Sequence, residues 1–281
     1  MSNQLKTVLL LGALTAILIF FGNAIGGSEG MKVALVMAAI MNFVSYWFSD
    51  RMVLRMYAAQ EVSPQQAPEL HDMVGDLARE AGVPMPRLFV IPQDTPNAFA
   101  TGRNPSHAVV AVTEGIVRLL SPAELKGVLA HEMSHVRNRD ILIQSVAATL
   151  GGAIMTLANM SRFSASYAGG EGEQRRGNPI SLLLFAILGP FAAMLIQMAI
   201  SRSREFIADE SGARLCHDPE PLAGALEKLE VANQQMPMIA NPATENMFIV
   251  NPLTGGGLMS LFSTHPPIEE RVARLRAMRV S

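Results

Sequence analysis

His131-Glu132-Met133-Ser134-His135 is the stretch on which the reading of this 281-residue chain turns. Laid on a helix at about 100° per residue, His-Glu-x-x-His puts the second imidazole roughly 40° from the first and the carboxylate roughly 100° from it. Two neutral imidazoles can hold one divalent ion, and a carboxylate beside them can take a proton from a water held there. The flanking residues favour a helix. Ser121-Pro122-Ala123-Glu124 reads as a capping box with proline at the first helical position, and Leu125, Leu129 and Val136 recur on one stripe. The alternative is a helix whose histidines are solvated or satisfied within a core.

A catalytic zinc takes three protein ligands and keeps a fourth position open. His71, His107, His217, His265 and the acidic residues are the candidates for the third. In the segment Ser201-Arg202-Ser203-Arg204-Glu205-Phe206-Ile207-Ala208-Asp209, Glu205 and Asp209 stand four apart and share a face on a helix. That spacing suits one carboxylate on a metal and a second on the far nitrogen of a ligating histidine. It equally describes a solvated acidic face.

Composition points to a membrane protein, with 49% of residues hydrophobic, 16% charged and a positive mean hydropathy. A net charge of −2 suggests no polyanion partner, so no nucleic acid is expected. The single cysteine, Cys216, excludes an internal disulfide and reads as a small buried hydrophobe.

Four apolar stretches are candidate membrane helices, about Val8–Phe21, Val33–Phe48, Ile141–Met160 and Ile180–Ile200. Tyr46 and Trp47 suit the interfacial belt. Lys6 precedes the first stretch and Arg51 and Arg55 follow the second, which places both ends of that hairpin in the cytoplasm. The first stretch has no small-residue cleavage site and is read as a retained anchor. Arg175 and Arg176 in the loop of the second hairpin run against the charge rule, so a hairpin that dips into the membrane without crossing is the alternative to spanning. Either way its ends must return to one side for His135 and Glu205 to meet.

Between and after these stretches lies the soluble part. Leu70, Met73, Val74, Leu77 and Ala81 predict a helix capped by Gly82. Arg87–Ile91 and His107–Thr113 predict strands, Asn97–Asn104 a turn-rich connection, and Ile268, Val272 and Leu275 a short terminal helix after Pro266-Pro267.

NAFATG (97–102), HEMSHVRNRD (131–140), SRSREFIAD (201–209) and STHPP (263–267), in this order and with this layout of apolar segments, resemble the HtpX-type bacterial membrane metalloproteases. Those are gluzincins related to the CAAX-processing Ste24 proteases. The resemblance implies His131, His135 and Glu205 as ligands of one Zn2+, Glu132 as general base and acid, and Asp209 as partner of a ligating histidine. It also implies a strand ahead of the zinc helix that forms a sheet edge and binds substrate by strand addition. Ala108–Thr113, and so Ala108, Val109, Val110 and Ala111, is the candidate for that edge, with Asn97, Ala98 and Phe99 as further substrate-binding candidates. His265, held by two prolines, is a candidate oxyanion stabiliser.

The expected architecture is α+β and mainly helical. A small gluzincin-like protease domain with an edge-strand sheet, in parts 56–140 and 201–281, is combined with four membrane helices in hairpins 1–55 and 141–200. The expected function is a zinc-dependent endopeptidase of the bacterial inner membrane, its active site facing the cytoplasm, with misfolded or damaged membrane proteins as substrates. A CAAX-type processing protease and a non-catalytic membrane scaffold with a structural metal are the alternatives.

Overall fold

The structure is a computed structural model that describes residues 3–150, 202–235, 247–250 and 266–279. Helix α1 (Asn3–Met56) takes in both N-terminal apolar stretches and breaks once, at Gly26 and Gly27, where Gly27 adopts φ 58. The chain reverses there. Asn42 donates to Thr15 Oγ1 at 2.9 Å, and a Cβ on Gly30 would lie 2.1 Å from Gly22 O. The two arms therefore pack with bare backbone at their closest approach, as helices do in lipid. Val8, Phe20 and Val33 on the outer faces are 65%, 66% and 63% exposed. Covering such surface in water is worth about 25 cal/mol per Å², and lipid removes it from water without a protein partner.

Among the described residues, Gly26–Met56 is the helix long and apolar enough to cross a membrane, and Leu5–Phe20 is a shorter apolar helix. The four-helix expectation is thus met in part. The third stretch begins as helix α5 (Ile141–Leu150), which packs Val146 and Leu150 against Leu10 and Leu14 of α1. The rest of that stretch and all of the fourth lie outside the described residues.

The sheet runs β1 (Gln60–Glu61), β2 (Arg87–Ile91), β4 (Val109–Thr113), β3 (Ala98–Thr101), with β2 and β4 parallel and β3 antiparallel to β4. Side chains alternate between two hydrophobic layers, as the period of a strand requires. Leu88, Ala98, Ala100, Val110 and Val112 face the helical core. Phe89, Ile91, Phe99, Val109 and Ala111 instead pack with Val53 and Leu54 at the end of α1 and with Ala148 of α5. The end of the N-terminal helical hairpin is therefore seated on the second face of the sheet.

Two sequence expectations are corrected here. Ala108–Thr113 is not the sheet edge, because β4 is bonded on both sides and every one of its residues is buried. A continuous apolar run such as Val109-Val110-Ala111-Val112 marks a central strand covered on both faces. The edge is β3, inside the segment read as turn-rich. Its four residues are too short a run to show a period between the turn formers that flank them.

Helices α2 (Pro68–Ala81) and α4 (Pro122–Arg137) follow the sequence signals, while the short helix α3 (Glu114–Leu119), capped by Thr113, lies between β4 and α4 without having been read from the sequence. Leu70, Val74, Leu77, Ala78 and Ala81 form the buried stripe of α2, and Gly82 caps it at φ 66. Ser121 and Glu124 form both bonds of the capping box on α4. From Gly127 to Val136, α4 is buried at every residue, so it is the central helix rather than an amphipathic one. Helices α6 (Arg202–Leu215) and α7 (Glu220–Gln235) pack on it, and α8 (Ile268–Ala277) packs on α7.

A buried ion pair ties these pieces together. Arg271 of α8 is fully buried and donates to Asp209 Oδ2 and Oδ1 of α6 at 2.8 and 2.7 Å, and to Ile249 O at 2.7 Å. Removing one partner of such a pair leaves an uncompensated charge in low dielectric. Arg271→Met is therefore expected to destabilise the fold by about 3–5 kcal/mol. Thermal unfolding of the detergent-solubilised chain measures this, and an unchanged midpoint would contradict it.

Candidate metal centre

Helix α4 supplies His131 and His135 one turn apart, and α6 crosses it to bring Glu205 opposite them. The crossing is close because position 212 has no side chain. A Cβ on Gly212 would sit 2.8 Å from His131 N and 3.0 Å from its Cα. Gly212 is seven residues after Glu205, two turns along the same face.

The donor atoms of His131, His135 and Glu205 all lie within 4.8 Å of one another, and all three residues are buried. The two Nε2 atoms are 3.2 Å apart. Glu205 Oε2 is 3.7 Å from His131 Nε2, and its Oε1 is 3.7 Å from His135 Nε2. Tetrahedral ligands at zinc–nitrogen distances of about 2.0–2.1 Å stand about 3.3–3.4 Å apart, so this donor set fits zinc. The position facing them is bordered by Glu132, Phe99, Ala100 and Gln144.

Each far imidazole nitrogen meets a carboxylate, the arrangement that fixes tautomer and ring orientation in metal sites. Asp209 Oδ1 lies 2.9 Å from His131 Nδ1, as the spacing on α6 predicted, although the ring N–H is not well aligned for a full hydrogen bond. The partner of His135 is Asp140, 3.1 Å from its Nδ1, and the sequence reading missed it. Asp140 stands just past the end of α4. There Arg139 adopts φ 59, Asp140 N donates to His135 O, and Arg139 N donates to Val136 O. That is a Schellman turn with arginine in the position glycine usually fills. It folds Asp140 back on the histidine five residues earlier, a contact with no helical period to announce it. Arg204 lies 3.7 Å from Asp140 Oδ1 and is largely buried.

Glu132 points across the sheet, and its Oε2 accepts from Ala100 N of β3 at 2.9 Å. Burial pushes its carboxyl above the ordinary carboxylate range, against the pull of His131 and His135. Burial alone would lower the His135 imidazole, but Asp140, Glu205 and Glu132 outweigh it and raise it to about 9. A field that favours a proton there also favours a metal cation. For Asp209 the desolvation penalty is outweighed by Arg271 and His131, which hold it below the usual range.

The substrate candidates divide. Phe99 borders the site, together with Ala100, which was not among the candidates, whereas Ala98 faces the helical core and Ala108, Val109, Val110 and Ala111 are buried along the inner strand and do not reach it. Asn97 is buried beside β3, where its side chain meets Met247 O and Ile249 N, each at 3.4 Å. Met247, Phe248 and Ile249 close the site from outside and leave a cavity of about 10 Å³. His265 lies outside the described residues. His107 is exposed and bonded to Asn104, and His71 and His217 lie apart from the site.

A model of peptidase family M48 matches residues 64–279, a span that covers both halves of the site. A protease HtpX homolog of Syntrophobacter fumaroxidans is 56% identical over 282 residues, covering 99% of this chain and 100% of the relative. One from Persephonella marina is 57% identical over 280 residues, covering 98% and 97%. The crystal structure of S. mikatae Ste24p shares the fold with a TM-score of 0.53 at 17% identity, and the chain spans 97% of its own length and 64% of that protein. Since the match runs from just ahead of α2 to just past α8, with both site helices inside it, the chain belongs to peptidase family M48 and is a metalloprotease.

Proposed function

We propose that the chain is a zinc-dependent endopeptidase of the bacterial inner membrane, with its active site facing the cytoplasm and misfolded or damaged membrane proteins as substrates. The observation that carries this reading is the convergence of His131, His135 and Glu205 beside Glu132, at a point where the sheet rests on a membrane hairpin. Positive charge at Lys6, Arg51 and Arg55 supports the cytoplasmic side. The resemblance noted above supports the substrate class.

In this reading His131, His135 and Glu205 hold the zinc, and Asp209 and Asp140 orient the two imidazoles. When bound, zinc polarises the scissile carbonyl and makes water a stronger nucleophile at neutral pH. Glu132 takes the proton of the attacking water and returns it to the leaving amine. Its burial raises its proton affinity towards the value that both steps need.

The N–H of Ala100, bonded here to Glu132, points away from β4, so an extended substrate strand adds along this outer edge of β3 rather than on β4. Reaching it requires Met247–Val250 to move, since the cavity beneath that segment holds about one water-sized sphere. His265 remains the candidate oxyanion donor.

Glu132→Gln is expected to bind zinc as the parent does and to lose about 10²–10⁴-fold in cleavage of an unfolded membrane substrate. Metal content and turnover measured on one preparation test this, and unchanged cleavage would sink the mechanism. Asp140→Ala is expected to weaken zinc affinity about 10–100-fold, read by competition with a chromophoric chelator. Parent-like affinity there would remove Asp140 from the site. Gly212→Val leaves every ligand in place but forces α6 off α4, so zinc content should fall with cleavage; a fully loaded variant would show that the helix crossing does not set the site.

A further inference from the structure

Across the described residues most arginines divide by position, with Arg204, which follows the fourth apolar stretch yet pairs with Asp140, as the exception. Arg87, Arg118, Arg214, Arg274 and Arg276, on the soluble part, each sit on a carboxylate. Arg51, Arg55, Arg103, Arg137, Arg139 and Arg202 make no ion pair, and all but Arg103 flank an apolar stretch in the chain. Arg279, near the C-terminal end, is the one other unpaired arginine among the described residues.

Arg103 belongs to the same level through space. Its guanidinium carbon lies 4.7 Å from the ring centre of Trp47 on α1. Arg51, one turn further along α1, lies 5.5 Å from the ring centre of Phe48. About twenty residues separate Gly27 from Trp47, and about twenty separate Lys6 from Gly26. At about 1.5 Å per residue each arm therefore rises roughly 30 Å from the turn, the thickness of the hydrocarbon core. Trp47, Arg103, Arg51 and Lys6 thus stand together where hydrocarbon gives way to headgroups. Trp47 is 43% exposed, so the aromatic platform is open on its outer side.

An unpaired guanidinium at a low-dielectric boundary attracts an anion, and phosphate matches its fork bidentately. We propose that Arg103 and Arg51, on the Trp47 face of α1, dock the phosphate of an anionic phospholipid from the membrane leaflet on the catalytic side. This rests on the reading of α1 as a membrane hairpin. The site is coupled to the metal centre by the chain itself. Arg103 is two residues past the end of β3, where Thr101 Oγ1 and Gly102 N meet Ser145 Oγ of α5 at 2.7 and 3.3 Å. A headgroup held there secures the junction of the edge strand with the membrane helix.

Trp47 is the only tryptophan and reports on the site directly. The full chain is reconstituted in phosphatidylcholine vesicles holding equal fractions of either brominated phosphatidylcholine or brominated phosphatidylglycerol. Quenching by the brominated phosphatidylglycerol is expected to reflect about fivefold stronger association per engaged arginine. Arg103→Gln and Arg51→Gln should each lower that preference, while Arg103→Lys, which keeps the charge but neither the fork nor the ring stacking, retains only part of it. Equal quenching by the two lipids, or an unaltered preference in both glutamine variants, would overturn the proposal alone. No quenching by either lipid would show that Trp47 is not at a bilayer and overturn the membrane reading with it. A preference abolished by inorganic phosphate, but not by chloride at matched ionic strength, would assign the arginines to free phosphate and overturn the lipid assignment.

Discussion

Ionisable groups can share a dry pocket only if every charge has a partner, and the rest of this structure is arranged around that requirement. His131, His135, Glu132 and Glu205 are all buried within one small region. Isolated ionised groups there would cost many kcal/mol each. Asp209 answers His131, Asp140 answers His135, Arg271 answers Asp209, and Arg204 answers Asp140. The chain of compensation runs outward from the two histidines to residues on α6, on α8 and in the turn after α4, and the fold must bring those pieces together for any of them to be buried.

The same constraint explains why α4 is buried along most of its length. A helix that carries two imidazoles into low dielectric needs neighbours on all sides, supplied by α2, β3, α6 and α7. Gly212 admits the nearest of these to van der Waals contact with the backbone of His131. On the other side, the sheet is not free in solvent but rests through Phe89, Phe99 and Val109 on the end of α1. Helix α4, the edge strand and the N-terminal hairpin are consequently successive layers, and the distance from that hairpin to the histidines is set by side-chain packing rather than by a linker.

Much of this was legible in the chain. The His-Glu-x-x-His helix, its capping box, the stripe of α2 with Gly82, the β2 strand at Arg87–Ile91 and the Glu205/Asp209 face all follow from local periodicity and capping chemistry. What escaped has a common cause. The edge strand at Ala98–Thr101 has too few residues to show a period, and the pairing that makes it a strand comes from β4. Asp140 reaches His135 through a turn in which arginine adopts a left-handed conformation, and neither residue type signals it. Arg271 reads as one charge on a short terminal helix, yet it is fully buried against a residue sixty-two positions earlier.

The sequence by itself picked out the groups proposed for the chemistry, because metal ligation and proton transfer need particular atoms at a helical spacing that local structure preserves. It also determined that the chain meets a membrane, because burial of that much apolar surface is a property of composition. Only the tertiary structure decided which carboxylate orients which histidine, which strand offers its edge and how closely α6 approaches α4. Those are contacts between residues far apart in the chain, set by packing and by the pairing of buried charges, and no local pattern encodes them.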